Sequence, residues 1–450
     1  MMRTRSSLLH AGLACTLLSA TACSQAGLAH HYQEMRPNMI QGRWDVAAAQ
    51  MEEAKEKIYG EKDRVMFWLN IGAIQHYAGK FDDSNQNLVK AEETIQELWT
   101  TSVSDEASKV MLGDTFAPYG GEDFEKVLIY LFTSLNNMKM GKVQDALVEA
   151  RRADEVLKKM QVQYDKDPDV DSIYKQDAFM LWLVGLYYEL DGSLNDAYLA
   201  YKAAYNAYQS EYAGNFGCGA PSWLAEDMVR TAQLSGLADE AERWKQEAGA
   251  TGQSLEQLAG GMGELILIHG NGEAPYKQEL RFDGTMPDGY VMSMALPQFV
   301  ALPGQIAYAE VSVNGQTVRT ELAEPVTGIV LKNFEFQLPG LKARAIARAI
   351  VKYAATKAAE AAGGGSNSTM GAILGLAANV AAVVTEAADL RSWTLLPSEV
   401  RAARVWLPEG THEVVVSYHT ASGGQVGRVD RMTVDIAAGK KNVQSVRSVL

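Results

Sequence analysis

Thiols, imidazoles and paired carboxylates do most protein chemistry, and this sequence brings few of them together. It holds three cysteines, Cys15, Cys23 and Cys218, and seven histidines in 450 residues. Cys218 lies in the Gly-rich stretch NFGCGAP with no His nearby. Nothing local supplies the base or lowered pKa that a nucleophilic thiol needs, so it reads as structural. His30 and His31 adjoin each other, while His412 and His419 fall on expected strands with no carboxylate or thiol cluster beside them. No HExxH, GxSxG, P-loop or paired CxxC occurs, and GGGSNSTMG at 363–371 lacks the Gly-Lys-Ser/Thr of a phosphate loop. The many Asp and Glu residues read as solvated charge on helix faces. Converging acid/base carboxylates stay open as an alternative, because distant residues can meet in a fold. The expectation is no metal, no cofactor and no enzyme, with a cryptic envelope hydrolase as the minor alternative.

The thiol with a definite chemical fate is Cys23. Arg3 and Arg5 precede the apolar run Leu8–Ala20, too short to span a bilayer, and the small residues Ala20-Thr21-Ala22 stand directly before the cysteine. That layout is a secretory signal. It resembles the lipobox of bacterial lipoproteins, which implies cleavage after Ala22 and acylation of Cys23. Ser24 in place of Asp resembles the enterobacterial sorting signal for the outer membrane. Residues 1–22 are then a signal peptide and 23–39 a lipidated tether, the acyl chains holding an otherwise soluble domain at a membrane facing the periplasm, with surface exposure also open. Cys15 leaves with the signal, so no intramolecular disulfide is expected. A formal net charge of −14 with no basic block argues against nucleic acid as a partner.

The elements that must position any binding surface begin with repeated helix pairs over 40–258. The most regular unit, 178–208, presents Leu181, Val184, Gly185 and Tyr188, turns at Asp191-Gly192, and resumes with Ala197, Tyr201 and Ala204. Aligned on their turn glycines, similar units surround Gly79 (Trp68, Ile71, Gly72, Phe81, Ser84, Leu88, Ala91), Gly141 (Tyr130, Ser134, Ala146, Ala150) and Gly236 (Met228, Ala238, Ala241). A leading half-unit at Gly42 carries Trp44, Ala47 and Met51. Large residues on one helix facing small ones on the next describe a unit that buries its apolar face only by stacking. The pattern resembles the tetratricopeptide repeat, although successive turn glycines lie 37, 62, 51 and 44 residues apart and so require insertions. Such stacks present a concave groove for protein segments. Loops at 101–124 and 212–222, with Tyr119, Phe216 and Trp223, are the candidate protein-binding positions.

After Gly260-Gly261 the period changes to that of strands. Leu265–Ile268 reads as a buried strand followed by turn chemistry at His269–Gly272, then Tyr276–Phe282 as a strand. Asn314-Gly315 joins strands Tyr308–Val313 and Gln316–Leu322 in a tight hairpin. The stretch from Ala403 to the end supplies further strands, and Leu-Pro-x-Gly with the later Ala-Gly-Lys resembles small periplasmic β-sandwich modules. Between the strand sets, 340–389 reads as an inserted helical hairpin. Its first helix carries Arg344, Arg348 and Lys352 as a basic stripe, its tip is Gly363–Ser368, and its second helix is the apolar Met370–Val384. That run of 15 is shorter than the roughly 20 residues of a span, and Gly371 and Gly375 permit close helix packing. The hairpin packs on the protein, contacts membrane, or mediates self-association.

The fold expected is α+β, with a helical solenoid followed by a mainly β, sandwich-like domain (259–339 and 390–450) interrupted by the hairpin. The motifs NFGCGAP-SWLAEDM, NGEAPYKQELRF and LRSWTLLPSEVRAARVWLPEGT resemble a family of Gram-negative lipoproteins with this layout. What the resemblance implies about partners is an association, since members of that family are often encoded near lipoprotein activators of penicillin-binding proteins. The resemblance implies an outer-membrane-anchored adaptor for protein partners, with envelope or peptidoglycan-synthesis machinery as client.

Overall fold

The computed structural model describes residues 27–28, 30–102, 115, 117–164 and 174–450. Ala22, Cys23 and the expected signal lie outside the described residues, as does most of the 101–124 loop.

Four antiparallel helix pairs follow a leading helix at 30–40 and α1 (Trp44–Ala54). They are α2 (Arg64–Tyr77) with α3 (Phe81–Ser102), α4 (Asp123–Lys139) with α5 (Val143–Tyr164), α6 (Ala178–Asp191) with α7 (Leu194–Ala207), and α8 (Ser222–Leu234) with α9 (Ala238–Ala248). The short α10 (Gln253–Ala259) leads into the β domain. Gly79, Gly141, Gly192 and Gly236 turn each pair at φ of 75–86°, a region closed to most side chains and open to glycine. The receiving alanines Ala91, Ala146, Ala197, Ala204 and Ala241 are completely buried. Within α6, a Cβ at Gly185 would stand 2.4 Å from the Tyr201 ring, and one at Gly72 would stand 2.7 Å from Leu88. These are the contacts the repeat pattern predicts. Trp68 and Tyr188 are half-buried against the same core.

The β domain is two stacked four-stranded sheets and a separate ribbon. One sheet has the order β10 (Lys441–Arg447), β1 (Gly263–Asn271), β7 (Glu399–Leu407), β6 (Glu321–Glu324). The other runs β5 (Gln316–Arg319), β4 (Tyr308–Val313), β8 (Gly410–His419), β9 (Gln425–Ile436). β2 (Tyr276–Thr285) and β3 (Val291–Val300) pair only with each other. Asn314 and Gly315 both take positive φ in the β4–β5 turn. The expected strand 316–322 divides at Thr320, whose hydroxyl accepts from the Ala309 N–H, so that β5 joins one sheet and β6 the other. His269–Asn271, expected as a turn, continues β1, because β10 lies parallel beside it through Gly270.

The first sheet is buried on both faces. Leu265 and Leu267 of β1, with Ala403, Val405 and Leu407 of β7, fill the core between the sheets. Ile266, Ile268, Val400 and Ala402 face the other way, into one core with the helices. The alternation of a strand thus serves two cores at once.

The inserted hairpin begins earlier than expected. α11 spans Val326–Ala362 with Pro339 inside it, and α12 spans Thr369–Val384. A proline within a helix removes one hydrogen bond and crowds the preceding turn, so Pro339-Gly340 reads in sequence as a boundary. Burial of Val326, Ile329, Val330 and Asn333 against the body holds the turns before it in the helix. The basic stripe is divided, since Arg348 and Lys352 turn inward onto Glu386 while Arg344 stays exposed.

Replacing Gly185 by Ala is expected to lower stability by about 1–3 kcal/mol in chemical denaturation, as overpacking of a closed core does. No loss of stability would place Tyr201 elsewhere than against α6.

Candidate functional site

The face of the stack that would form a binding groove is covered by the protein's own sheet. Each first helix of a pair touches the β domain. Tyr77 of α2 reaches Gly270, and Lys139 of α4 donates to the Val443 carbonyl and Gln444. Glu189 of α6 and Asp227 of α8 meet Lys441 and Arg404. Those helices are consequently buried on nearly all sides, while their partners keep a solvated face.

At this junction six charged side chains, each at most 9% exposed, form a closed ring of alternating sign. Arg230 donates through Nε and Nη2 to Glu189, both at 2.8 Å, and through Nη2 to Asp227. Arg404 bridges Asp227 and Glu264. Lys441 then binds Glu264 and closes the ring 3.4 Å from Glu189. Three members come from the helices and three from the sheet, and the formal charges cancel. Trp182 Nε1 donates to Asp227 at 3.0 Å and the Tyr201 hydroxyl to Glu189 at 2.8 Å. The repeat core and the ring are therefore one structure. Burial opposes ionisation of Glu189 and Glu264. Arg230 and Lys441 outweigh it at Glu189 and hold that carboxyl below the usual range. Arg404 and Lys441 hold Glu264 at about 2.

Two further groups seal the junction, each with a different electrostatic character. Tyr174 donates to Asp177 at 2.6 Å, and Tyr212 donates to Glu324 at 3.2 Å. Burial and the charge of Asp177 push the Glu324 carboxyl well above its ordinary value. Nearer the leading end, Glu125 accepts from the Tyr119 hydroxyl, the Glu122 N–H and the Trp393 N–H. Burial, then the neighbouring Glu122, raises it to about 7. Arg391 beside it pairs with Asp63 and Asp389.

The candidate binding loops are corrected by this geometry. Tyr119 is 4% and Trp223 7% exposed, with the Arg391 and Arg404 guanidinium groups over their rings. Phe216 ends a π-helical turn, Tyr208–Phe216, and stacks edge-on against Tyr212 and Tyr174. All three seal the junction rather than present a free surface. The reading of Asp and Glu as solvated charge fails for Glu125, Asp177, Glu189, Asp227, Glu264 and Glu324, all buried at the junction. His419, expected without a carboxylate, lies 3.5 Å from Glu310. A signal for the ring did exist, since Glu189 and Glu264 interrupt or border fully apolar runs where a charge needs a partner. The motifs NFGCGAP-SWLAEDM and LRSWTLLPSEVRAARVWLPEGT supply Trp223, Asp227, Arg391, Trp393 and Arg404, and so encode the junction itself. Cys218 is buried and its thiol is pushed up to about 12 by burial and by Glu324. Among the described residues no group of three or more His, Cys, Asp or Glu could hold a metal ion. The converging carboxylates Asp177 and Glu324 are 3% and 0% exposed and line no open cleft.

What remains outward is the ribbon and the hairpin. β2 is exposed along most of its length. Asn379 of α12 bonds the N–H and carbonyl of Val291 in β3 at 3.1 and 2.9 Å, and Arg281 of β2 donates to the Val383 and Glu386 carbonyls at the end of α12. Among the described residues no helix is long and apolar enough to cross a membrane.

No protein-family model matches the chain, and no curated protein matches it. Among solved structures it is similar to MamA of AMB-1, at 12% identity over 50% of this chain and 91% of that one, with a TM-score of 0.29. It is also similar to BtubC from P. vanneervenii, at 13% identity over 57% and 91%, TM-score 0.35. A thermophilic TPR protein of Thermus thermophilus shows 16% identity over 50% and 89%, TM-score 0.23.

Asp227→Asn leaves two buried guanidinium groups short of a counter-charge and is expected to cost about 3–5 kcal/mol. A double-mutant cycle with Arg404→Met should show coupling above about 1 kcal/mol, and additive effects would count against a shared ring. The raised Glu324 pKa gives the opposite dependence on acidity. Its stabilisation is full below the ordinary carboxylate value of 4.5 and is lost as pH rises toward its folded value. Glu324→Gln should therefore flatten part of the fall in urea midpoint as pH rises above the ordinary carboxylate value. An unchanged slope would show that Glu324 stays ionised in the folded protein.

Proposed function

We propose that this protein is an outer-membrane-anchored lipoprotein facing the periplasm, acylated at Cys23, that serves as an adaptor for protein partners of the cell envelope. The Gram-negative lipoprotein resemblance points to peptidoglycan-synthesis machinery as the client. The observation that carries the adaptor reading is the division of surfaces. The stack spends its groove on its own sheet, while the ribbon exposes Leu280, Phe282 and Met286 at 41%, 52% and 38%. Side chains of that size on an unpaired two-stranded ribbon suit a partner segment laid along it. Anchorage at Cys23 sets the body beside the membrane and confines its partners to those within reach of the tether.

A second reading has its own observation. The hairpin turns large apolar side chains to solvent on both helices, which favours self-association through it.

Cys23→Ser is expected to move the protein from the membrane fraction to the soluble periplasmic fraction and to abolish incorporation of labelled palmitate. Continued membrane retention would remove the anchor from the proposal. With a photocrosslinking amino acid at Phe282, a defined envelope protein should be captured. Capture of the same protein from Val148 on the outer face of α5, or from neither position, would discard the ribbon as the partner surface.

A further inference from the structure

The β2–β3 ribbon has two edges, and they are treated differently. Asn379 holds the N–H and carbonyl of Val291 at 3.1 and 2.9 Å, so both groups point away from β2. At the turn, the Met286 N–H donates to the Tyr290 carbonyl at 2.8 Å. Inward and outward pairs alternate along an antiparallel ladder. With Thr285 opposite Val291 and Glu279 opposite Pro297, the residues Glu279, Arg281, Asp283 and Thr285 therefore turn their N–H and carbonyl groups away from β3. Pro297 falls on the outward phase of β3. Its missing N–H costs the ladder nothing there and denies a bond to any further strand. The β3 edge is thus closed by Pro297 and Asn379. β2 carries neither device, and among the described residues no strand but β3 pairs with it.

The groups on that edge select its occupant. Lipid offers no hydrogen-bond partners to a row of backbone groups, whereas an extended chain matches their spacing. On the hairpin side of β2, Glu279 accepts from the Ala388 N–H and Arg281 donates to the Val383 and Glu386 carbonyls. Glu279, Arg281 and Asp283 nevertheless keep 29%, 33% and 50% of their side chains exposed, so the hairpin does not roof the edge. Their signs alternate, and an antiparallel copy of the same strand reverses the order. With a two-fold axis at Phe282, Arg281 of each copy faces Asp283 of the other and Glu279 faces Thr285. Opposite charges in such pairs stabilise a sheet, and like charges destabilise it. An axis at Arg281 would set arginine on arginine and Glu279 on Asp283. An axis at Leu280 would run the second strand along Lys277, which is buried on Glu122. The axis at Phe282 keeps the pairing within 279–285, where every residue is exposed.

We infer that two copies of this chain pair antiparallel along β2, about a two-fold axis at Phe282, and join their ribbons into one four-stranded sheet. A two-fold contact uses the same surface on both copies and closes at two. The pairing rests on the edge of the ribbon. Neither the adaptor role nor the exposed faces of the hairpin enters it, and the apolar face of the ribbon stays open to a partner segment.

At the axis, Phe282 meets its copy in a non-hydrogen-bonded pair, whose Cα atoms stand about 4.5 Å apart, within the reach of a disulfide. The test oxidises the full chain, in whichever cell fraction holds it, with copper phenanthroline. Phe282→Cys is expected to give a disulfide-linked dimer and nothing larger. Leu280→Cys, which faces Gly284 of the other copy, and Val148→Cys on α5 should give no more dimer than the parent chain. A dimer from Leu280→Cys and none from Phe282→Cys would overturn the axis. Dimers from neither, or equally from Val148→Cys, would overturn the pairing. Added to Phe282→Cys, Asp283→Lys sets a cation opposite Arg281 and should lower the dimer yield several-fold. Asp283→Pro removes an outward N–H without breaking the ladder to β3 and should abolish the dimer. Unchanged melting temperatures confirm the fold of each variant. Undiminished dimer in both would show the ribbons meeting through their apolar faces, and would overturn pairing by the edge.

Discussion

A closed ring of six buried charges ties the two halves of this molecule together. Glu189, Arg230 and Asp227 come from helices, and Glu264, Arg404 and Lys441 from strands, with each carboxylate set between two cations. Any other docking of sheet on helices would strand several of these charges in a dry interior, at several kcal/mol apiece. The ring therefore acts on register more than on net stability. Apolar contacts such as those of Ile266 and Val400 press the two halves together and tolerate small displacements, whereas a bidentate Arg230–Glu189 pair does not.

Around that lock the chain is built in three layers, helices, sheet and sheet. The middle layer explains the odd appearance of β1, buried at all nine positions although it belongs to a sandwich. Its alternate residues face two different cores. The partner beside it is β10, the last strand of the chain, laid parallel to it, so the β domain is complete only when both of its ends are in place. The three junction groups also differ in their response to protons. The ring depends on ionised carboxylates, while Glu125 and Glu324 are raised by burial. Falling pH weakens the first and rising pH the others, which leaves the intact junction most stable between the two extremes.

This arrangement decides which surfaces are open. A helical stack that has filled its groove with its own sheet has its first helices sealed on both sides, and what stays exposed is the ribbon, the hairpin and the outer faces of the second helices. The ribbon and hairpin are themselves joined through Asn379 and Arg281.

Much of the architecture was legible in the residues. The turn glycines, the buried alanines, the Asn314-Gly315 hairpin and the close approach at Gly371 and Gly375 all follow from short-range rules, in which spacing sets the period and a small residue marks a contact. Those rules failed where the cause was distant. Pro339 looks like a helix boundary, and it lies inside α11 because Val326 and Val330 are buried on the body. Tyr119, Phe216 and Trp223 sit in loop-like stretches, and they are sealed because a sheet from the other end of the chain closes over them. By itself the sequence determined most of the helices and strands and which face of each is apolar, because 3.6- and 2-residue periods are written locally. Only the tertiary structure decided which charges meet, since Asp227 and Arg404, like Glu264 and Lys441, are separated by 177 residues. No local period records a partner that far away, and the closing of the sheet over the helices selects it.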